Sequence, residues 1–107
     1  MIETWKDIEE SSFYELSNYG NIRDKVTKLP KSFTYLKDGA YKAYCLDGKQ
    51  YLAHRLVAKY FVHNPNPEKY NVVNHLDENT HNNRADNLEW TTNKDNLEYS
   101  DVFNRVS

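Results

Sequence analysis

An α+β fold is predicted by three features: alternating apolar and polar runs over residues 13–53, a helical period over residues 54–62, and a strand–loop–strand–helix order in the last third. The expected architecture is a small N-terminal antiparallel β-sheet with a short helix, followed by a second unit built from that last third.

The elements follow in chain order. Residues 3–8 read as a short extended or turn segment anchored by Trp5. Phe13-Tyr14-Glu15-Leu16-Ser17 alternates as a half-buried strand does. Asn18-Tyr19-Gly20-Asn21 is rich in turn residues, and Ile22-Arg23 restarts an extended run, so a hairpin is expected with Gly20 at positive φ. A basic connector with Pro30 leads to three β-prone runs, at 33–36, 41–46 and 50–53, separated by Asp38-Gly39 and Asp47-Gly48. Over residues 54–62, Leu56, Val57, Tyr60 and Phe61 share one helical face, and Asn64-Pro65-Asn66-Pro67 ends the helix. Residues 70–75 and 88–91 read as strands around a polar loop, 76–87. Thr92-Asn93-Lys94-Asp95 has the form of a capping box before a last short helix.

A chain of 107 residues suits one small domain. Nine Tyr, four Phe and two Trp supply buried area that the few aliphatics do not. There is no membrane-length apolar run and no leader-like start, so the expectation is a cytoplasmic protein (host cytoplasm if phage encoded) with no membrane partner. Cys45 is the single cysteine, which leaves no internal disulfide and no thiolate zinc site, so no structural zinc is expected.

Net charge is −2, but it is unevenly spread: −4 over residues 1–20, +6 over 21–61 and −4 over 62–107. The basic middle is a candidate phosphate-contacting surface, with Arg23, Lys25, Lys28, Lys31, Lys42 and Arg55 as backbone contacts that would position DNA without reading its sequence. An ordinary solvated surface explains the same charges.

Chemistry concentrates in the last third. His75 ends one strand, Asn87 precedes the next, and Asn96 lies one turn into the final helix; paired strands with the helix packed back on them would bring all three to one cleft. A histidine is a natural general base for activating water. Amide oxygens are acceptable ligands for a hard cation such as Mg²⁺, and a cation beside a scissile phosphate offsets charge on the leaving oxygen. The plain alternative is a solvated His in a loop whose Asn residues are there for turn geometry.

Residues 70–96 resemble the HNH family of nucleases, through Val73-Asn74-His75-Leu76-Asp77, Asn82-Asn83, Asn87-Leu88-Glu89-Trp90 and Asn96. Ala53-His54-Arg55-Leu56-Val57-Ala58 with Phe61 resembles the lead-in of the phage and homing-endonuclease branch. Trp5-Lys6-Asp7-Ile8 and residues 14–23 resemble the modular N-terminal motif that accompanies such nucleases. The resemblance implies a ββα-metal motif, with His75 as general base, Asn87 bracing the loop and orienting the His, and Asn96 reaching the metal. Asn74 stands where many relatives carry a metal-binding Asp. The implied cofactor is a divalent metal, Mg²⁺ or Mn²⁺, and the implied partner is DNA.

The expected organisation is a β-rich, DNA-contacting nuclease-associated region over residues 1–53 and a helix plus nuclease core over 54–107, packed as one unit. Trp90 and Trp5 are expected in packing roles, His54 at the helix start either capping or packing with a phosphate contact as a further alternative, and His81 solvated rather than approaching DNA. Two functions compete: a metal-dependent HNH endonuclease, phage or mobile-element encoded, that nicks or cuts DNA, and a catalytically weakened scaffold of the same family that binds DNA or inhibits a host protein.

Overall fold

The computed structural model describes residues 1–92. β1 (Trp5–Ile8), β2 (Ser11–Ser17) and β3 (Ile22–Asp24) form one antiparallel sheet in that order. β4 (Thr34–Leu36), β5 (Tyr41–Leu46) and β6 (Lys49–Leu52) form a second, a meander. The chain passes from β6 directly into α1 (Ala53–Phe61), and β7 (Val72–His75) pairs antiparallel with β8 (Leu88–Thr91). A single 3-10 turn, Ala85–Asn87, sits at the end of the loop between them. The final helix expected after Thr92, with Asn96 on it, lies outside the described residues.

Most elements form where the hydrophobic period places them. The segment read as extended or turn is a true strand, because Trp5 and Lys6 pair with Ser17 and Leu16. That register turns Ile8 and Leu16 into the core together with Ile22. In the turn after β2, Gly20 takes φ +90, a region costly for any residue with a Cβ.

The core is one cluster drawn from every sheet and the helix. Ile8, Leu16 and Ile22 come from the first sheet, Tyr44 and Leu46 from the second, Leu56 and Val57 from α1, Val73 and Leu88 from the third. Burying each of the larger aliphatics contributes about 1.5–3 kcal/mol.

α1 has no side-chain N-cap bond and no acidic residue in its first turn, so packing rather than capping holds it. Its other end is pinned from two sides. The Trp90 indole N–H donates to the carbonyls of Val62 (3.2 Å), at the helix C-cap, and of Ala58 (3.3 Å), which also accepts the Val62 N–H. The Tyr60 hydroxyl donates to Glu10 (2.6 Å) and accepts from the Glu9 amide (2.8 Å). Burial works to raise the Glu10 pKa, but hydrogen bonds from Lys59 and Tyr60 outweigh it and hold the carboxyl below its ordinary value. No helix among the described residues is long and apolar enough to cross a membrane.

Candidate active site

Alternation along β7 sorts its side chains. Val73 and His75 turn inward and are buried, while Asn74 is only partly covered and lies opposite Glu89 of β8. His75 Nε2 lies 3.0 Å from Asn83 Oδ1, and both residues are buried, at 6% and 4% exposure. An amide oxygen only accepts, so this contact places the proton on Nε2 and leaves the lone pair of a neutral ring on Nδ1.

A second histidine covers the His75 ring. His54, in the first turn of α1, packs against it with centroids 4.9 Å apart and against Tyr41 on β5 at 5.3 Å. Burial, followed by the charges of His75 and Arg55, lowers the His54 pKa to about 4. His54 is therefore a neutral packing ring at physiological pH; of the two roles expected at the helix start it packs, and α1 has no side-chain cap bond.

Asn87 acts on the loop between itself and His75. Its amide oxygen accepts from the Asp77 N–H (3.1 Å), and its amide nitrogen donates to Asp77 Oδ1 (2.9 Å) and to the Asn82 carbonyl (2.9 Å). The Leu76 N–H donates to the Asn87 carbonyl (2.8 Å), so the loop is closed immediately after His75. The Asp77 carboxyl, bonded by Asn82, by the Asn79 amide and by Asn87, lies below the ordinary carboxylate pKa. Asn74 donates from Nδ2 to Glu89 Oε1 (3.2 Å), which sets a carboxylate beside the amide.

The candidate DNA-contacting cations divide. Arg23, Lys28, Lys31 and Lys42 line one cleft of about 360 Å³ together with the rings of Trp5 and Phe33. Lys25 lies outside it, 3.3 Å from Asp7, and Arg55 is on α1, bonded to the Asn71 carbonyl (3.1 Å). Within the cleft Arg23 and Lys28 share the Glu15 carboxylate at 2.6 and 3.1 Å, and the Arg23 guanidinium stacks 3.8 Å over Trp5. Trp5, expected as a packing anchor, is half-buried and lies outside the core cluster; its ring lines this cleft with a cation on its face.

Two residues carry more than the sequence suggested. Asn83 belongs to an Asn pair in the quoted motif, yet nothing in the spacing says which of the two reaches back to His75; the path of a polar loop decides it. His81 was expected to be solvated. It is exposed, as expected, and in addition its Nε2 meets the Gly39 carbonyl and its ring packs on Tyr35 at 4.8 Å, tying the loop to the second sheet. Among the described residues no three His, Cys, Asp or Glu side chains cluster as a metal site.

Residues 51–98 match the family model of the HNH endonuclease, and residues 3–47 match the NUMOD4 motif. The chain carries an HNH endonuclease domain behind a NUMOD4 motif. Relatives bear this out. The chain is 41% identical over 107 residues to the uncharacterised HNH endonuclease L245 of Acanthamoeba polyphaga mimivirus, across 94% of this chain and 30% of that protein. It is 35% identical over 98 residues to the DNA endonuclease I-HmuI of Bacillus phage SP01, across 88% of this chain and 55% of that one. The solved structure of I-HmuI, described as showing DNA binding and cleavage by that HNH homing endonuclease, superimposes with a TM-score of 0.74 at 33% identity, over 91% of this chain and 57% of that chain. The α+β class with small antiparallel sheets and one short helix matches that fold. The chain spans about half the length of I-HmuI and under a third of the viral relative.

Proposed function

We propose that this HNH endonuclease domain hydrolyses DNA phosphodiester bonds with the help of a divalent cation, His75 serving as general base. The observation that carries the reading is the buried His75–Asn83 contact. With Nε2–H committed to an amide oxygen, Nδ1 is the nitrogen that takes a proton from water as the water attacks phosphorus. Exposure of only 6% suits a base that meets one water at a bound phosphate rather than bulk solvent. Asn87 keeps the His75 end of β7 in place through the loop.

The donor chemistry fits a hard cation. Asn74 offers an amide oxygen and its neighbour Glu89 a carboxylate; both are oxygen donors of the kind Mg²⁺ and Mn²⁺ accept. Asn96, outside the described residues, is the further ligand the motif implies. The bound cation would offset charge on the leaving oxygen. Arg23, Lys28, Lys31 and Lys42, in one cleft of the NUMOD4 region, and Lys25 and Arg55 outside it, would contact the DNA backbone. In this reading residues 1–53 hold DNA and residues 54–107 cut it, in a phage or mobile-element setting.

The resemblance itself raises the competing reading of a binding scaffold with weakened catalysis, because Asn74 brings no charge to the place where the family resemblance implies a metal-binding Asp. Nicking of supercoiled plasmid in Mg²⁺ or Mn²⁺ decides between them. Wild type should nick, EDTA should abolish nicking, and His75→Ala should lower the rate by about a hundredfold or more. A folded wild type that leaves several DNA substrates intact sinks the enzyme reading.

A further inference from the structure

The loop that orients His75 does not stand alone. Residues 83–85 rest on the turn that follows β2, across the boundary between the two matched motifs. A Cβ built on Gly20 would lie 3.0 Å from the Asn83 Cβ and 3.4 Å from its carbonyl oxygen. The Ala85 N–H donates to the Asn18 carbonyl at 2.8 Å. The Arg84 guanidinium lies 4.2 Å over the Tyr19 ring. Three consecutive residues of the turn therefore each touch one of three consecutive residues of the loop.

The turn is rigid enough to act as a seat. Ser17 Oγ accepts from the amides of Tyr19 (3.1 Å) and Asn21 (3.2 Å), and the Gly20 N–H donates to the Ser17 carbonyl (3.0 Å). Asn18 Oδ1 accepts from the Thr4 amide at 2.8 Å. The buried Tyr44 hydroxyl donates to the Gly20 carbonyl at 3.2 Å, fixing the turn to the second sheet as well. A side chain held within about 0.5 Å of its working geometry needs support of this kind behind it.

We infer that the turn at residues 18–21 of the NUMOD4 motif is a positioning element for the His75 imidazole, acting through Asn83. This rests on reading His75 as the base, and it gives the N-terminal motif a part in catalysis separate from DNA contact. Asn83 is the positioning residue; Gly20 is the position where no side chain fits beneath it.

The test uses the full chain and two readouts. The first is the His75 tautomer, read from its ring ¹⁵N shifts by NMR with and without Mg²⁺; it needs no cleavage and survives failure of the enzyme reading. The second is kcat and KM for plasmid nicking. Asn83→Ala should remove the preference for the Nε2–H tautomer and lower kcat by at least about tenfold with KM little changed. Asn83→Asp keeps an acceptor at Nε2 and should retain the tautomer. Gly20→Ala introduces both left-handed strain and a push on Asn83. Gly48→Ala has the same backbone cost, at φ +85, with nothing within 4 Å of the new methyl. Gly20→Ala should thus shift the His75 signals and lower kcat, whereas Gly48→Ala should do neither. The inference is overturned if Asn83→Ala leaves the tautomer unchanged, or if Gly20→Ala and Gly48→Ala affect His75 alike. Should Gly20→Ala not fold, Asn83→Ala and Asn83→Asp still decide on Asn83, and Tyr19→Ala, which takes the ring from beneath Arg84, replaces Gly20→Ala with the same expected shift and the same overturning result.

Discussion

His54 is neutral in the fold and would take up a proton readily in the unfolded chain, and that difference is a stability term. Its folded pKa of about 4 lies below the ordinary value of about 6.5. Between those values the unfolded state binds more protons, so stability is fully present above pH 6.5 and is lost as pH falls toward 4. The shift corresponds to about 3 kcal/mol at its limit. His54→Phe keeps a ring between Tyr41 and His75 and removes the titration. Urea midpoints at pH 7.5 and pH 5 should fall less between the two conditions in His54→Phe than in wild type; parallel losses would remove His54 as the cause. At this scale His75 was legible because its residue type and place at a strand end limit what it can do. Asn83 was not, since two adjacent Asn residues in a turn-rich loop look alike until backbone direction sends one inward.

The β7–loop–β8 element was legible as a unit, from two short apolar runs around a polar stretch. Its internal wiring was only partly so. Asn87 was expected to brace the loop, but not that one amide would make three hydrogen bonds, to both ends of Asp77 and to the Asn82 carbonyl. Asn87→Asp keeps the acceptor for the Asp77 amide, loses both donor bonds, and sets a second carboxylate against Asp77. The like charges and the lost bonds act in the same direction, and destabilisation of about 2 kcal/mol is expected. Amide hydrogen exchange at Leu76 and Asp77 should rise with it. Unchanged protection at those amides would mean that Asn87 does not close the loop. The strand at residues 5–8 was read less well than this element because its partner is set by register with β2, which local pattern does not encode.

For the whole molecule, segment charge was legible and charge pairing was not. The excess of +6 over residues 21–61 is in the sequence. That Glu15 lies opposite Arg23 across the β2–β3 register, and also takes Lys28, is a fact of folding. The Arg23 hydrogen bond, followed by those from Lys28, holds the Glu15 carboxyl below its ordinary pKa even though burial opposes this, so it stays charged at neutral pH. Glu15 therefore competes with any phosphate for two of the four cations in the cleft. Removing that competitor should strengthen DNA binding and make it more sensitive to salt, because each additional phosphate contact adds about 0.9 to the steepness of log K against log salt. Glu15→Gln should accordingly raise DNA affinity at low salt and steepen the slope by up to about 2, for the two cations released. Glu68→Gln removes the same charge at an exposed position in another part of the chain, and should leave the slope where it was. The measurement is a fluorescence-anisotropy titration of a DNA duplex across a salt series, with circular dichroism to show that both variants are folded. A steeper slope in Glu15→Gln alone ties the cleft to DNA. Equal slopes in all three proteins would show that the phosphates are met elsewhere, and would leave Arg23 and Lys28 as structural partners of Glu15.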